Sequence, residues 1–463
     1  MPLILGTNSI KDTSYDVANS ARFDDGSSDN IQRTYGTPTN SKIFGLSWWV
    51  KLGKAFDGSG SQDLWGERTD SNNRVFMGIN STGQFDFFEK NSGSNVVELK
   101  TNRLFRDNSA WYHFLLLGDS TQGTASNRIK LYVNGVQETS FATETYPSSD
   151  YAFRLALNTV KYFGRVGLGG SLSTNYYDGY LAEAVFVDGT VTAHTDYGEF
   201  DSDSPTIWKP KNVSGLTFGN NGFYLDFEDS SALGNDVSGN DNDFTVNNLT
   251  AVDQSTDTCT NNFATLNSLA NLTGSPTYSE GNLKVAGDSS GNNNWQTTFV
   301  VSSGKWYWEL KDLTSSPDGS LLFYDQSISS GSHPGYGFVL NTKKKVINGS
   351  PTGSAIGSSA QNDIWSMALD LDNGKMFIAR NGTYLSSGDP ANGTNPFIQT
   401  SDGLPSEGVF GGHIYNGSME LNFGSPSFSI SSGNTDDNGY GNFEYDVPAG
   451  FYSLNTKNLA EFG

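Results

Sequence analysis

The sequence predicts an all-β protein built from two antiparallel β-sandwich domains that are joined by a Gly/Asn/Asp-rich connector. Short segments with an apolar residue at every second position recur along the 463 residues, as in strands that bury one face. The composition includes 53 glycines and 13% aromatic residues, which suits frequent turns and half-buried pleated surfaces. Asn-Gly pairs lie between several alternating segments, where they favour tight hairpin loops.

The stretch ALDLDNGKMFIARNGTYL, residues 368–385, predicts a β-meander because it holds two Asn-Gly pairs between alternating residues. If Asn373-Gly374 forms a two-residue type I′ loop, Leu369 lies opposite Ile378 and the apolar side chains share one face. Asn381-Gly382 would then reverse the chain again. A similar stretch, IKLYVNGVQ, occurs in the first half of the chain and predicts a hairpin of the same kind.

Charge and cysteine content exclude several classes of protein. The net charge is −22, and Lys343-Lys344-Lys345 is the longest basic run, so we expect no nucleic-acid binding. Cys259 is the only cysteine, which excludes an intrachain disulfide and a Cys–His zinc cluster. The opening MPLILGTN lacks the charged start and long apolar segment of a signal peptide, and no apolar run could span a bilayer. We therefore expect cytoplasmic synthesis without a signal peptide and no membrane insertion.

Residues 1–210 form the predicted first sandwich. They contain FGLSWWVKL, WYHFLLLG, IKLYVNGVQ and YDGYLAEAVFVDG in this order, after an opening ARFDDGSSD. These segments resemble the laminin-G-like or concanavalin-like lectin/glucanase family. The resemblance implies a jelly-roll of two packed antiparallel sheets, and the order of the segments is more specific than any one of them.

Residues 269–463 form the predicted second sandwich. The segments GKWYWEL, YGFVLN, MELNFGSPSF and PAGFYSL resemble the SPRY (B30.2-like) family, another bent β-sandwich. Trp306 and Trp308 lie on one face of a strand and are expected to anchor the second core, with Tyr307 and Glu309 on the other face. In this family, loops at one end of the sandwich meet the ligand. The resemblance therefore points to the loop SSGDPANGTN, whose alternative is a plain surface excursion.

Residues 211–268 form the predicted connector, which we expect to be partly extended. Phe223–Phe227 alternates like a strand, whereas the polar run Asp236–Asp243 is typical of a loop. The whole order of lectin-like sandwich, connector and SPRY-like sandwich resembles structural or tail-fibre-like proteins of marine bacteriophages. The resemblance implies a place on the virion surface, with tail fibre, head fibre and capsid decoration all open.

The sequence predicts no catalytic residues. Glucanases of the lectin-like fold use a Glu-x-Asp-x-x-Glu strand, and the closest spacing here, Glu199 to Ser204, ends in serine and has the composition of a loop. The four histidines are scattered along the chain and are expected to be structural: His113, His194, His333 and His413. We therefore expect a protein that is not an enzyme.

Two candidate binding sites emerge from the residues. Tyr176, Tyr177 and Asp178 could contact a sugar, since exposed aromatic rings stack on sugar rings; the alternative is that one tyrosine packs into the core. Four oxygen-bearing residues could hold calcium, the one cofactor considered, and their alternative is a solvated turn: Asp236, Asn240, Asp241 and Asp243.

These expectations combine into a non-enzymatic phage virion surface protein that presents lectin-like loops to host surface glycans and binds other virion proteins of the capsid or tail. A homo-oligomer, such as a trimer, is expected, because several weak sites acting together hold a particle. One alternative is an architectural capsid decoration or head-fibre protein that binds only other virion proteins. A polysaccharide hydrolase is the less favoured alternative.

Overall fold

The structure is a computed structural model that describes residues 15–53, 60–166, 175–270, 272–314, 318–325 and 333–463. The N-terminal segment on which the signal-peptide expectation rests lies outside the described residues. The chain divides into two compact units, whose described parts are residues 15–260 and 261–463. Antiparallel sheets form both units, which confirms the predicted all-β class with β-sandwich domains.

The first unit contains two large sheets. Its strands are, in chain order, β1 (Ser20–Phe23), β2 (Asn30–Thr34), β3 (Ile43–Leu52), β4 (Gln62–Arg68), β5 (Arg74–Ile79), β6 (Gln84–Asn91), β7 (Ser94–Leu104), β8 (Trp111–Asp119), β9 (Ile129–Val133), β10 (Val136–Gln137), β11 (Phe141–Thr145), β12 (Val160–Phe163), β13 (Gly179–Asp188), β14 (Gly198–Phe200), β15 (Trp208–Pro210), β16 (Phe223–Leu225), β17 (Thr245–Asn247) and β18 (Gln254–Ser255). One sheet runs β10-β9-β8-β3-β13-β1-β18, with β16 beside β13, and the other runs β11-β7-β6-β5-β4-β12-β2-β17. Strands β14 and β15 form a separate pair.

Strand β3 is buried on both faces. Leu46, Trp48 and Val50 point into the core shared with the second sheet. On the opposite face, Trp49 and Lys51 are also buried, under segments that cover the outside of the sheet. The sequence of β3 therefore reads as an almost continuous apolar run instead of a clean alternation, as expected for a strand covered on both sides.

The chain from residue 211 to 260 belongs to the first unit, which corrects the predicted separate connector. Strand β16, predicted from Phe223–Phe227, pairs with β13; β17 pairs with β2; and β18 pairs with β1. Phe223, Leu225 and Phe244 fill the main core of this unit. The surrounding Asn, Asp and Gly residues gave the segment the composition of a linker, although its few apolar residues complete the sandwich.

The strands of the second unit form one large sheet. Its elements are β19 (Thr277–Ser279), β20 (Lys284–Val301), β21 (Lys305–Asp312), β22 (Asp318–Tyr324), β23 (Tyr336–Val339), β24 (Lys344–Ile347), β25 (Ser350–Thr352), β26 (Ile364–Asp370), β27 (Lys375–Arg380), β28 (Thr383–Tyr384), β29 (Ile398–Gln399), β30 (Gly408–Asn422), β31 (Tyr452–Ser453) and α1 (Thr456–Phe462). The main path is β25-β24-β23-β22-β30-β21-β26-β27-β28. Trp306 and Trp308 are fully buried in its core, as the sequence predicts. Among the described residues, no helix has the length and apolar character that crossing a membrane would require.

The Asn373-Gly374 hairpin differs from the prediction in its register. Leu369 pairs with Met376 instead of Ile378, because four residues form the loop where two were expected. The Asp370 carboxylate accepts hydrogen bonds from the backbone N–H and the side-chain amide of Asn373, at 3.0 and 2.9 Å, which stabilises the wider loop. A shift of two residues leaves each side chain on its predicted face, so Leu369 and Ile378 both enter the core.

The Asn-Gly pairs at residues 134–135 and 381–382 form two-residue loops, as predicted. Asn134 and Gly135 have φ values of 48° and 75°, and Asn381 and Gly382 have φ values of 46° and 75°. Positive φ at both loop positions is the geometry of a type I′ turn. The similar stretches in the two halves of the chain are therefore equivalent local hairpins.

A buried ion pair connects the last segment of the first unit to the outer face of the sheet that contains β3. The Lys51 ammonium on β3 lies 2.6 Å from the Asp257 carboxylate, and the Trp111 indole N–H on β8 donates to the same carboxylate at 3.0 Å. Both charged side chains are almost completely buried. Burial is also the main reason that the pKa of Lys51 is lowered.

We expect Asp257→Asn to lower the free energy of unfolding by about 3 kcal/mol, since it leaves the buried Lys51 ammonium without its nearest counter-charge. Urea denaturation of the full chain measures the change. Asp150→Asn is the matched control, because Asp150 pairs with Lys42 on the surface and should leave the transition unchanged. Equal transitions for wild type and Asp257→Asn would contradict the assignment of this segment to the folded unit.

Candidate functional site

A cleft of about 310 Å³ lies on the first unit, over strands β8 and β9. We call it the β8–β9 cleft. Its walls come from β8, from β9 and its preceding loop, and from the segment after β13. The lining residues are Phe44, Leu117, Gly118, Asp119, Gln122, Asn127, Lys130, Tyr132, Val191, Thr192, Ala193 and His194.

The alternation of β9 places two functional side chains at the cleft. Ile129, Leu131 and Val133 point into the core, so Lys130 and Tyr132 face outward. The Tyr132 ring stacks on the His194 ring, with centroids 4.9 Å apart and planes inclined by 7°. Tyr132 on β9 and His194 in the segment after β13 together give the cleft an aromatic wall.

Polar groups surround this aromatic wall. The Asp119 carboxylate accepts hydrogen bonds from the Thr121 hydroxyl at 2.5 Å and from the Gln122 side-chain amide at 2.6 Å, which fixes the loop after β8. Within the described part of the chain, the Lys130 ammonium and the Asn127 side-chain amide have no hydrogen-bond partner. An aromatic ring beside uncommitted donors and acceptors can bind a polyhydroxylated ligand.

Tyr177, from the predicted sugar-contacting segment, is a core residue. Only 1% of it is exposed, and its ring contacts Phe23 in the main core. Its hydroxyl lies 2.8 Å from the carbonyl oxygen of Lys51 and 3.0 Å from that of Tyr180. Tyr177 therefore offers no ring to a ligand, which matches the alternative in which one tyrosine packs inward.

Tyr176 is half-buried and belongs to a small surface stack. The Arg165 guanidinium lies 5.4 Å from the centre of the Tyr176 ring and 5.3 Å from that of Tyr162, and it donates a hydrogen bond to the Tyr176 hydroxyl at 3.2 Å. The arginine thus already occupies one face of the ring. Tyr176 is the member of the predicted segment that stays accessible.

Asp178 is buried and joins a carboxylate cluster. Oxygen atoms of Asp24, Asp25 and Asp178 lie within 4.8 Å of one another, and Asp24 and Asp178 are both buried. Grouping buried carboxylates costs free energy, which a bound cation offsets. Oxygen ligands of this kind suit calcium. Among the described residues, these three acidic side chains form the group whose oxygen atoms lie close enough together to share one ion.

The four predicted calcium ligands after β16 serve a turn instead. The Asp236 carboxylate accepts hydrogen bonds from the Ser238 hydroxyl and from the backbone N–H groups of Tyr224, Ser238 and Asn242, all at 2.8 to 2.9 Å. Because these bonds would have to break before the carboxylate could bind an ion, Asp236 does not fit the role of a calcium ligand. The other three predicted ligands lie in the same turn: Asn240, Asp241 and Asp243.

The residues with glucanase-like spacing also have a structural role. Glu199 lies on β14, and Asp201 follows it. The Lys209 ammonium lies 3.3 Å from the Asp201 carboxylate and 3.7 Å from that of Glu199. These carboxylates balance one lysine and support the turn between β14 and β15.

His113 is structural, as the sequence predicts. It is fully buried between the Ser47 hydroxyl at 2.8 Å and the Trp208 indole nitrogen at 3.0 Å. The indole N–H donates to Nδ1, so the ring proton lies on Nε2 and is directed at the serine. Burial lowers the pKa of His113 to about 3, which keeps the ring neutral.

Residues 25–195 match the family model described as the concanavalin A-like lectin/glucanases superfamily. The matched residues all lie in the first unit, which is therefore similar to this superfamily. The matched region includes every lining residue of the β8–β9 cleft. It also includes Asp25 and Asp178 of the carboxylate cluster, whereas Asp24 lies just before it. No curated protein matches the chain.

The solved structures that match parts of the chain are distant in sequence. The SPRY domain of human HERC1 is 13% identical, with 30% of this chain and 87% of that chain covered and a TM-score of 0.25. A proposed carbohydrate-binding protein from Bacteroides ovatus ATCC 8483 is 13% identical, with 50% and 59% covered and a TM-score of 0.32. The heptameric SAP-like pentraxin from Limulus polyphemus is 14% identical, with 39% and 82% covered and a TM-score of 0.28. The match spans less than two-thirds of the Bacteroides protein.

Calcium should raise the melting temperature of the protein if the Asp24–Asp25–Asp178 cluster holds an ion, because a ligand that binds only the folded state stabilises it. We expect Asp25→Asn to reduce this shift, since an amide is a weaker ligand than a carboxylate. Differential scanning calorimetry with calcium and with EDTA measures the effect.

Asp241→Asn is the matched control, because Asp241 is an exposed acidic residue among the predicted calcium ligands after β16. Its φ is positive, a conformation that asparagine tolerates. Loss of the calcium shift in Asp241→Asn, or no shift in the wild type, would argue against the cluster.

Proposed function

We propose that the first unit is a glycan-binding module whose site is the β8–β9 cleft, in a non-enzymatic protein on the surface of a phage virion that adheres to host surface glycans. The observation that carries the glycan-binding proposal is the cleft itself. It lies in a lectin-like domain and joins the Tyr132–His194 wall to the uncommitted Lys130 and Asn127 side chains.

The chemistry of the cleft suits a short sugar segment. A sugar ring presents C–H groups to the edge or face of an aromatic wall and hydroxyl groups to amides, carboxylates and ammonium groups. The volume is near the lower end of the range of small-ligand sites, about 300 to 1,000 Å³. Such a site binds weakly on its own, so adhesion would rest on several copies of the protein acting together.

The non-enzymatic part of the proposal rests on the carboxylates. Hydrolysis of a glycosidic bond requires an acid and a second carboxylate on either side of the bond. Of the residues with glucanase-like spacing, Glu199 and Asp201 both lie near the Lys209 ammonium, and Ser204 occupies the position of the third carboxylate. The virion location is supported only by the resemblance of the whole segment order to marine phage structural proteins.

An array of bacterial surface glycans, probed with the purified protein, tests the site. We expect Tyr132→Ala to weaken binding by at least about tenfold, or ~1.4 kcal/mol, because the aromatic wall is lost. Tyr176→Ala should retain most of the binding. Tyr146→Ala is the matched control, since Tyr146 is also half-buried but follows β11 on the other sheet.

Loss of binding in Tyr176→Ala with normal binding in Tyr132→Ala would assign the site to the other tyrosine. An absence of binding to any glycan would overturn the glycan proposal. Mass spectrometry of purified phage particles, followed by adsorption assays with an antibody against the chain, tests the virion location. Particles that contain the protein and adsorb normally with the antibody bound would favour the architectural alternative.

A further inference from the structure

The second unit has a cavity of about 330 Å³ that is independent of the proposed glycan site. We call it the tyrosine cavity. Three tyrosines, two prolines and two aspartates contribute to its walls. The lining residues are Tyr307, Ser366, Ala379, Gly382, Tyr384, Gly388, Asp389, Pro390, Ala391, Tyr445, Asp446 and Pro448.

The floor of the cavity is the outer face of β21, β26 and β27. Ser366 pairs with Ala379 across β26 and β27, and its hydroxyl lies 2.9 Å from that of Tyr307 on β21. The walls are the loop at residues 388–391, inside the loop that the SPRY resemblance suggested, and the segment at residues 445–448. The sheet and these two chain segments thus line a partly open space.

The three tyrosine rings are held by neighbouring groups. The Tyr307 hydroxyl donates to the Glu309 carboxylate at 3.0 Å, and Tyr384 packs edge-on against Phe377 with centroids 6.5 Å apart. The Tyr445 ring rests over Gly382, where a Cβ atom would lie only 2.6 Å from the ring. These contacts restrict the rings. Tyr307 is only 1% exposed and forms part of the floor, so the half-buried Tyr384 and Tyr445 supply the aromatic rings that a ligand can reach.

The charges around the cavity are negative. Asp389 and Asp446 line it, and the Asp389 carboxylate is oriented by two hydrogen bonds from Asn392 at 2.8 and 3.1 Å. The described lining residues include no lysine, arginine or histidine. On the neighbouring strand β27, Lys375 donates to the carbonyl oxygen of Gly393 and Arg380 pairs with Asp363. Both cations are therefore committed to other groups.

We propose that the tyrosine cavity binds a small organic cation with a substituted ammonium group. Aromatic faces attract such a group through the ring quadrupole, and the attraction is strongest where the cation has little water to lose. The two aspartates add attraction at longer range. A neutral sugar gains nothing from this excess of negative charge, and an anion would be repelled.

Isothermal titration of the 463-residue chain with choline tests the proposal. The neutral control ligand is 3,3-dimethylbutan-1-ol, which has nearly the same shape as choline and carries no charge. We expect choline to bind and the neutral ligand to bind at least about tenfold more weakly. Binding of choline should also weaken as the salt concentration rises.

Three variants identify the residues responsible. Tyr384→Ala should weaken choline binding about tenfold, whereas Tyr384→Phe should retain it, because phenylalanine keeps the aromatic face. Asp446→Asn should weaken binding about threefold, since one exposed charge is lost. Glu407→Gln is the matched control, because Glu407 is exposed, acidic and absent from the cavity lining.

Equal affinity for the two ligands, no choline binding by the wild type, or competition by glucose would overturn the proposal. So would unchanged choline binding in Tyr384→Ala with a normal melting temperature. Tyr132→Ala should bind choline normally, so failure of the glycan proposal and failure of this one can be told apart.

Discussion

In both units, chain segments cover the outer face of a sheet, and buried polar side chains hold these covering segments in place. The rest of the structure depends on this feature. In the first unit, Asp257 binds Lys51 and Trp111 on the outside of the sheet. In the second unit, Glu309 on β21 accepts hydrogen bonds from the backbone N–H groups of Glu444 and Tyr445, at 3.0 and 2.9 Å. A buried carboxylate is tolerated only with such partners, so these contacts fix where the covering segments lie. Burial still raises the pKa of Glu309.

Both candidate sites lie where this covering is incomplete. The β8–β9 cleft lies between the outer face of β8 and β9 and the segment at residues 191–194. The tyrosine cavity lies between a sheet and the segments at residues 388–391 and 445–448. In each case a strand positions the aromatic ring, and the adjoining loops supply most of the polar groups. Rigid strands hold a ring accurately, while loops can vary their chemistry without disturbing the core. The two sites therefore differ in charge although their construction is similar.

Period-two alternation, the tryptophans of β21 and the Asn-Gly pairs were enough to predict the all-β class and the core of the second unit. Even the wrong register of the Asn373-Gly374 hairpin kept Leu369 and Ile378 on the core face, because the error was an even number of residues. The domain boundary was harder to predict. Phe223 and Phe244 complete the first core, but the Asn- and Asp-rich sequence around them is also the composition of a linker.

The sites could be predicted only in part, because they depend on long-range packing. Neighbouring Tyr176 and Tyr177 look alike in the sequence, yet only the second enters the core. Asp178 meets Asp24 and Asp25 only because β1 pairs with β13, which immediately follows Asp178. Likewise, the outward position of Tyr132 follows from the alternation of β9, but its stacking on His194 does not.

A crystal structure of the protein with a bound glycan from its natural target surface would test the central claim most directly. The account predicts a sugar ring in the β8–β9 cleft, against the Tyr132–His194 wall and within hydrogen-bond distance of Asn127 or Lys130. A glycan bound at Tyr176, or anywhere else while this cleft stays empty, would contradict it.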